Sequence, residues 1–422
     1  MKNIEMFKDK SGDYCSVNKN FGLLHLSSKS PQIGFFAKRI LSRIERAEHG
    51  NITVTLPNKH SVSHMGARSG QTVLIGFKMW KSFFQYVLFG QLSFVEAYIN
   101  GEIYINNLQT LFHWFIDNEL FFSEKQNSHL SDLIHRFSHL IVNDNSRNGS
   151  RKNISFHYDL GNDFYKRWLD ETMTYSAGIF TDETSLSASQ TAKYARIIEQ
   201  LELTDDDRVL EIGCGWGGFA DHALTRHHID YRGITISNEQ LKYTKARLDK
   251  ITVRKNLAVF EDYRDTVGTF DKIVSIEMFE AVGEKHWKSY FETIKSRLKP
   301  GGKAVIQVIT IDHDRFLKYR NRVDFIQKYI FPGGMLPSKQ VFADHVEEAN
   351  LKIEDEFAFG HDYAQTLRLW KESFIQSWSD IEQLGFDRRF YRLWLYYLDY
   401  CIAAFERNTI DVMHYTVTHD HA

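Results

Sequence analysis

The stretch "VLEIGCGWGGFA", Val209 to Ala220, runs apolar, breaks into glycines and resumes as a helical pattern. Gly213, Gly215, Gly217 and Gly218 stand where side chains would block a ligand's approach to the backbone. A strand–glycine–helix turn of this kind is where open α/β sheets bind ligands. Glycines this dense cost chain entropy unless something needs the room. A dinucleotide fingerprint would put its third glycine where Gly218 stands, so spacing alone does not exclude NAD. The next strand, however, ends in "GITISNEQ", offering Thr235, Ser237 and Gln240 in place of an acid for a ribose.

The elements that must position this turn are legible as alternating patterns. Strand candidates fall at Arg208–Ile212, Tyr231–Ile236, Leu257–Phe260, Phe270–Ile276 and Lys303–Thr310. Helical periodicity separates them at Thr191–Leu203, Glu239–Leu248 and His286–Leu298, the last stopped by "LKPGG". The alternation predicts an α/β domain, a doubly wound parallel sheet with helices on both faces. Upstream, residues 1–122 mix strand-like pieces ("NITVTL", "QTVLIGF") with ring-rich stretches such as "WKSFFQYVLFG". Residues 123–152 turn polar and basic and read as a linker holding a helix, which leaves 153–422 as the α/β domain.

With 422 residues, 43% of them hydrophobic, the chain has material for two domains and a sizeable core. Its net charge of −2 is uneven: residues 1–88 carry thirteen Lys/Arg and five Asp/Glu, a net of +8, leaving −10 on the rest. A basic, aromatic N-terminal region points to an anionic partner, lipid headgroups or nucleic acid. Three dispersed cysteines (Cys15, Cys214, Cys401) fit a reducing cytosol. The N-terminus has no signal-peptide core, and no run approaches the ~20 apolar residues of a membrane span.

"EIGCGWGG", with Glu211 before the turn, looks like the first motif of S-adenosylmethionine-dependent methyltransferases. The resemblance then sharpens. "HYDLGNDFYKRWLDETMTYSAGIF", "GCGWGG", "GITISNEQ", "EDYRD", "IVSIEMFEAVG", "YIFPGGMLPS", "HDYAQTLRLW" and "YYLDYCIAAFERN" follow in order. Together they resemble the cyclopropane fatty acid synthase family, which includes the mycolic acid cyclopropane synthases. "LFGQLSFVEAYINGEIYINNLQTLF" is similar to the lipid-binding domain of members that modify phospholipids. The resemblance implies a Rossmann-like methyltransferase fold behind a smaller α+β lipid-binding domain. It also implies alkylation of the double bond of an unsaturated acyl phospholipid, at the cytoplasmic face of a membrane.

That chemistry explains the residue types. An isolated alkene is a weak nucleophile and must be pressed against the methyl donor in a dry channel. Aromatic faces stabilise the resulting cation, with Phe279, Trp287, Tyr363, Trp370 and Tyr397 as candidates. In the family the base is a bicarbonate ion, held by a glutamate, a tyrosine and a cysteine, near a histidine and a second cysteine. Carried onto this chain, these are Glu280, Tyr363 and Cys401. Two positions depart from the family: Ala177 stands for the second cysteine and Gln307 for the histidine. Gln307 can donate a hydrogen bond but cannot take a charge, so ring closure and a methyl-branched product both stay open.

The resemblance also assigns the cofactor pocket. Tyr175 and Ser176 meet the methionine end, and Gly213, Cys214, Gly215, Gly217 and Gly218 line the backbone side. Thr235, Ser237 and Gln240 meet the ribose, Asp262 and Tyr263 border the adenine, and Ile276 and Glu277 flank the sulfonium. A small-molecule methyltransferase would not need the basic, ring-rich N-terminal region. A nucleic-acid methyltransferase would show a zinc motif or an "NPPY"-like tetrad, and a lipid-transfer protein would not need Glu280 with Tyr363. The terminal "HDHA" reads as a disordered tail, with no metal site expected. Family members are often dimeric; the sequence leaves the oligomeric state open.

Overall fold

The computed structural model describes residues 4–8, 14–18, 44–122, 160–181 and 185–420. The chain divides into two compact units, residues 1–128 and 129–422. The expected linker helix, and the start of the "HYDLGNDFYKRW" motif, lie outside the described residues.

In the first unit a short hairpin, β1 (Ile4–Lys8) and β2 (Tyr14–Asn18), precedes β3 (His49–Thr55), β4 (Ser61–Met65) and β5 (Arg68–Phe77). With β6 (Ile103–Ile105), the last three form a four-stranded sheet in the order β4-β3-β5-β6. Helices α1 (Trp80–Phe89), α2 (Gln91–Ile99) and α3 (Leu108–Asp117) accompany it. Alternate residues of β3, Ile52 and Val54 among them, face the core, as period-2 strands must. The outer face of α1 is different. Trp80, Phe84 and Leu88, spaced by four, form a ridge that stays 41%, 40% and 62% exposed, and Phe89 beside it is 61% exposed.

The second unit is built on a seven-stranded sheet. Its strands are β7 (Arg208–Ile212), β8 (Asp230–Thr235), β9 (Ala258–Phe260), β10 (Phe270–Ile276), β11 (Leu298–Ile311), β12 (Leu351–Ala358) and β13 (Ile410–His419). The order is β12-β13-β11-β10-β7-β8-β9, parallel from β9 to β11 and antiparallel where β13 pairs with β11 and β12. Strand order therefore reverses between β7 and β10, and ligands of doubly wound sheets bind in the crevice at such a switch point.

Helices α4 (Leu186–Leu201), α5 (Gly218–Leu224), α6 (Asn238–Leu248), α7 (Trp287–Arg297) and α8 (Lys339–Glu348) flank this sheet, forming two separate apolar layers with it. Two long helices, α9 (Gly360–Gln376) and α10 (Arg388–Glu406), precede the last strand. The parallel strands sit where the apolar runs predict them. The antiparallel end does not announce itself, and His419, expected in a loose tail, ends β13 with its ring bonded to the Leu298 carbonyl at 2.9 Å. Among the described residues no helix is long and apolar enough to cross a membrane.

Candidate active site at the switch point

The glycine turn leaves β7 with Gly213, Gly215 and Gly217 at φ +78°, +52° and +80°, a region that only glycine enters without strain. The Gly213 and Cys214 amides both donate to the Ile234 carbonyl of β8, fixing the turn's start. The glycines then differ in purpose. A Cβ on Gly217 would strike Thr244, and one on Gly218 would lie 2.4 Å from the Tyr194 hydroxyl, so both allow close packing. A Cβ on Gly215 would meet nothing within 4 Å, so here the backbone faces open space at the sheet's carboxyl edge. Cys214 is buried and its thiol is pushed well above its usual range by burial and by Glu211. It contributes backbone, not a thiolate.

Beside this opening the other residues expected at the cofactor pocket form small closed networks. Thr235 Oγ donates to Gln240 Oε1 at 2.9 Å and accepts from the Ser237 amide, while Ser237 Oγ caps α6. Asp262 is clamped by Arg264 through Nε at 2.8 Å and Nη2 at 2.6 Å. Tyr263 packs on Tyr290, and burial pushes its hydroxyl up to about 12. The Tyr175 hydroxyl meets that of Tyr397 at 2.8 Å. Ser176 accepts from Lys193 Nζ at 2.6 Å and its carbonyl from Gln190, which ties this segment to α4.

Across the switch point, Ile276 ends β10 in register with Gln307 of β11. Glu277 follows at φ +48°, a left-handed conformation that costs an L-residue about 1–2 kcal/mol. Strain of this kind persists where surroundings over-determine it, and here they do. Glu277 Oε1 accepts from the Ala177 amide at 2.8 Å and from Gln307 Nε2 at 2.7 Å. Its Oε2 accepts from the Tyr363 hydroxyl at 2.7 Å. Gln307 is oriented in turn by His414 of β13, whose Nε2 lies 2.9 Å from Gln307 Oε1. Burial, aided by Lys193 and Arg196, keeps the His414 imidazole neutral. Because Gln307 Nε2 donates to Glu277, Gln307 Oε1 is left to accept, and the tautomer that fits carries its proton on His414 Nε2.

Glu280, one short turn further on, does not share this network. Its Oε1 takes the Ile309 amide at 2.6 Å, and its buried Oε2 has no hydrogen-bond partner. Burial, then the nearby Glu277, push the Glu280 carboxyl up to about 8. The sequence suggests Glu280 and Tyr363 as partners; in the structure Tyr363 reaches Glu277, which follows β10 with its amide donating to the Gln307 carbonyl at 2.9 Å. Cys401, on α10, is half-buried, and burial and Asp324 hold its thiol protonated.

Of the five expected aromatic faces, Phe279 and Trp287 are fully buried and stack on each other as part of the sheet–helix core. The rings around the carboxylate are Tyr363, Trp370, Tyr175 and Tyr397. Tyr175 lies 5.1 Å from Trp370, which lies 6.1 Å from Tyr363. Lys193 was not expected at all. It is fully buried on α4, and its ammonium is pushed down to about 7 by burial, against the pull of Glu277. Among the described residues no group of three or more His, Cys, Asp or Glu is arranged to hold a metal.

The sheet order, the antiparallel β13 and the glycine turn define the fold of the S-adenosylmethionine-dependent methyltransferases. Within that class the chain belongs to the mycolic acid cyclopropane synthetase family, whose model matches residues 145–415. A tuberculostearic acid methyltransferase of Mycobacterium tuberculosis is 41% identical over 285 residues, 65% of this chain and 66% of the relative. The cyclopropane-fatty-acyl-phospholipid synthase of Escherichia coli is 40% identical over 257 residues, 61% of this chain and 65% of the relative. The chain thus matches just under two thirds of each curated relative's length. Of solved structures, the cyclopropane synthase MmaA2 from Mycobacterium tuberculosis matches with a TM-score of 0.59 at 26% identity, covering 63% of this chain and 97% of that one.

Proposed function

We propose that this protein methylates the double bond of an unsaturated fatty acyl chain of a membrane phospholipid and closes a cyclopropane ring. The observation that carries the reading is the juxtaposition at the switch point of an open glycine turn, a ring-lined wall and a buried carboxylate pair. S-adenosylmethionine, when bound over Gly213–Gly217, supplies an electrophilic methyl group. The chain's own residues do the rest. Tyr175, Tyr363, Trp370 and Tyr397 exclude water and offer π-faces to a cation on the acyl chain. The carboxylates manage the proton that must leave. The family kinship supports the reading, as does the name of the Escherichia coli relative.

A methyl-branched product is the second reading, favoured by the name of the tuberculostearic acid methyltransferase relative. Mass spectrometry and proton NMR of phospholipids after incubation with the purified protein and S-adenosylmethionine together decide between them. Both products gain the mass of one methylene on a mono-unsaturated chain. The expected result is that gain together with loss of the alkene protons in the NMR spectrum, which ring closure gives and a methyl-branched alkene does not. A methyl gain found in water-soluble material alone would reject both.

The first unit supplies membrane docking in this reading. The exposed α1 ridge of Trp80, Phe84 and Leu88 is bordered by exposed Lys78 and Lys81. Rings and aliphatics beside lysines suit the boundary of an anionic bilayer. Replacing both Trp80 and Leu88 with aspartate should weaken binding to phosphatidylglycerol vesicles by more than tenfold and leave cofactor affinity unchanged. Vesicle binding that ignores both substitutions and added salt would remove α1 as the dock.

A further inference from the structure

An anion held by this site would need donors, and the donors are already engaged by the protein itself. The Ala177 amide, the Gln307 amide group and the Tyr363 hydroxyl all point at one carboxylate, that of Glu277, at 2.7–2.8 Å. Resting on the proposed acyl-chain alkylation, we propose that Glu277 is the built-in base of this enzyme, occupying the place of an exchangeable bicarbonate ion.

Four features support it. Gln307 and the backbone amide of Ala177 bring hydrogen-bond donors and no charge, which suits a partner that carries its own negative charge. Glu277 Oε1 accepts two hydrogen bonds, whereas Oε2 accepts one from Tyr363 and keeps a lone pair for a proton. The residue sits at φ +48°, where glycine would be relaxed, so something other than backbone preference keeps a glutamate there. Glu280, the other carboxyl at hand, is mostly protonated at neutral pH with its carboxyl near 8, and a protonated acid cannot accept the proton. Burial raises the Glu277 carboxyl too, but three hydrogen bonds and the Lys193 charge favour its ionised form, whereas Glu280 has the Ile309 amide and the repulsion of Glu277. Surroundings that differ in this way divide the acid and base roles.

The step balances without an added ion. A C–H bond of the newly attached methyl breaks, and its electron pair closes the third side of the ring onto the cationic carbon. The proton passes to Glu277 Oε2, giving a neutral carboxylic acid that later releases it to water.

The test has a binding arm and a turnover arm. Carbon-13 bicarbonate NMR is recorded with the full-length wild type, Glu277→Gly and Glu277→Gln. The expected result is no saturable broadening with wild type and saturable broadening with Glu277→Gly, whose backbone conformation suits glycine and whose three donors are left facing open space. Turnover of the wild type should not change when bicarbonate is removed or added. Glu277→Gln should lower kcat by about 10²–10⁴, the usual loss for a positioned base, while calorimetry still shows the cofactor bound, so that the loss is read at cofactor saturation. Added bicarbonate should restore part of the Glu277→Gly activity. Saturable bicarbonate binding to the wild type, a bicarbonate-dependent wild-type rate, or full activity in Glu277→Gln would each overturn the assignment. Failure of the wild type to alkylate any acyl chain would reject the parent reading instead, and the NMR arm would still report what fills the site.

Discussion

Gly215→Val is expected to abolish S-adenosylmethionine binding in calorimetry while the protein stays folded, and Gly215→Ala to weaken it in the same direction. The reasoning separates two costs. Any side chain at φ +52° carries left-handed strain of about 1–2 kcal/mol, more for a β-branched one. That strain is charged to the fold and reads out as a lower melting temperature. The protein offers no further clash, because a Cβ at this position meets nothing within 4 Å. A loss of affinity beyond the strain therefore measures what the open space accommodates. Gly218→Ala is the contrast: its Cβ would be driven into the Tyr194 hydroxyl and Thr174, so it should destabilise the fold with or without ligand. Wild-type affinity in Gly215→Val would mean that the cofactor does not lie over this turn.

The same turn shows how much of the fold is legible in the amino-acid pattern. Strands β7 and β10 sit at the residues their apolar runs mark out, because strands buried on both faces read as near-continuous apolar stretches. Strand β12, "LKIEDEFA", is half exposed and polar, and β13 is masked by its own His, Thr and Tyr content, so neither stands out. The site is legible in its parts but not in its pairings. "IEMFE" places two glutamates three residues apart, and nothing in the spacing tells which one β10 aims at Gln307. Likewise an aromatic residue's type does not separate a ring in the core, such as Trp287, from one at the site, such as Trp370. Lys193 was detectable in principle. It lies on the same helical face as Tyr194, Ile197 and Leu201, and a lysine on a buried stripe needs a partner. The partners are Ser176, in the irregular segment before α4, and the field of Glu277, from a segment far along the chain, and neither is paired with Lys193 by any spacing.

Gln307 is the residue through which the ionisation of Glu277 can be read in the fold itself. Gln307→Glu keeps the size and the acceptor toward His414 but replaces the amide donor, 2.7 Å from Glu277 Oε1, with a second carboxyl. Two carboxylates at that separation cannot both stay charged, and His414, held neutral by burial, supplies no compensating cation. The new carboxyl's pKa in the folded state is then raised above its unfolded value of about 4.3. The sign follows: the variant comes closest to wild-type stability below that unfolded value and loses ground as pH rises toward the folded one. A rise of about three units, common for a fully buried carboxyl, corresponds to about 4 kcal/mol. Urea unfolding of wild type and variant at acidic and alkaline pH should show that growing deficit. Gln307→Leu serves as the reference. It strands the His414 and Glu277 groups at about 1–3 kcal/mol each, and its deficit should vary far less with pH. Repeating the scan in a Glu277→Gln background separates burial from charge: a deficit that grows just as much there would mean that Glu277 is uncharged in the folded protein, and with that the built-in base would lose its anion.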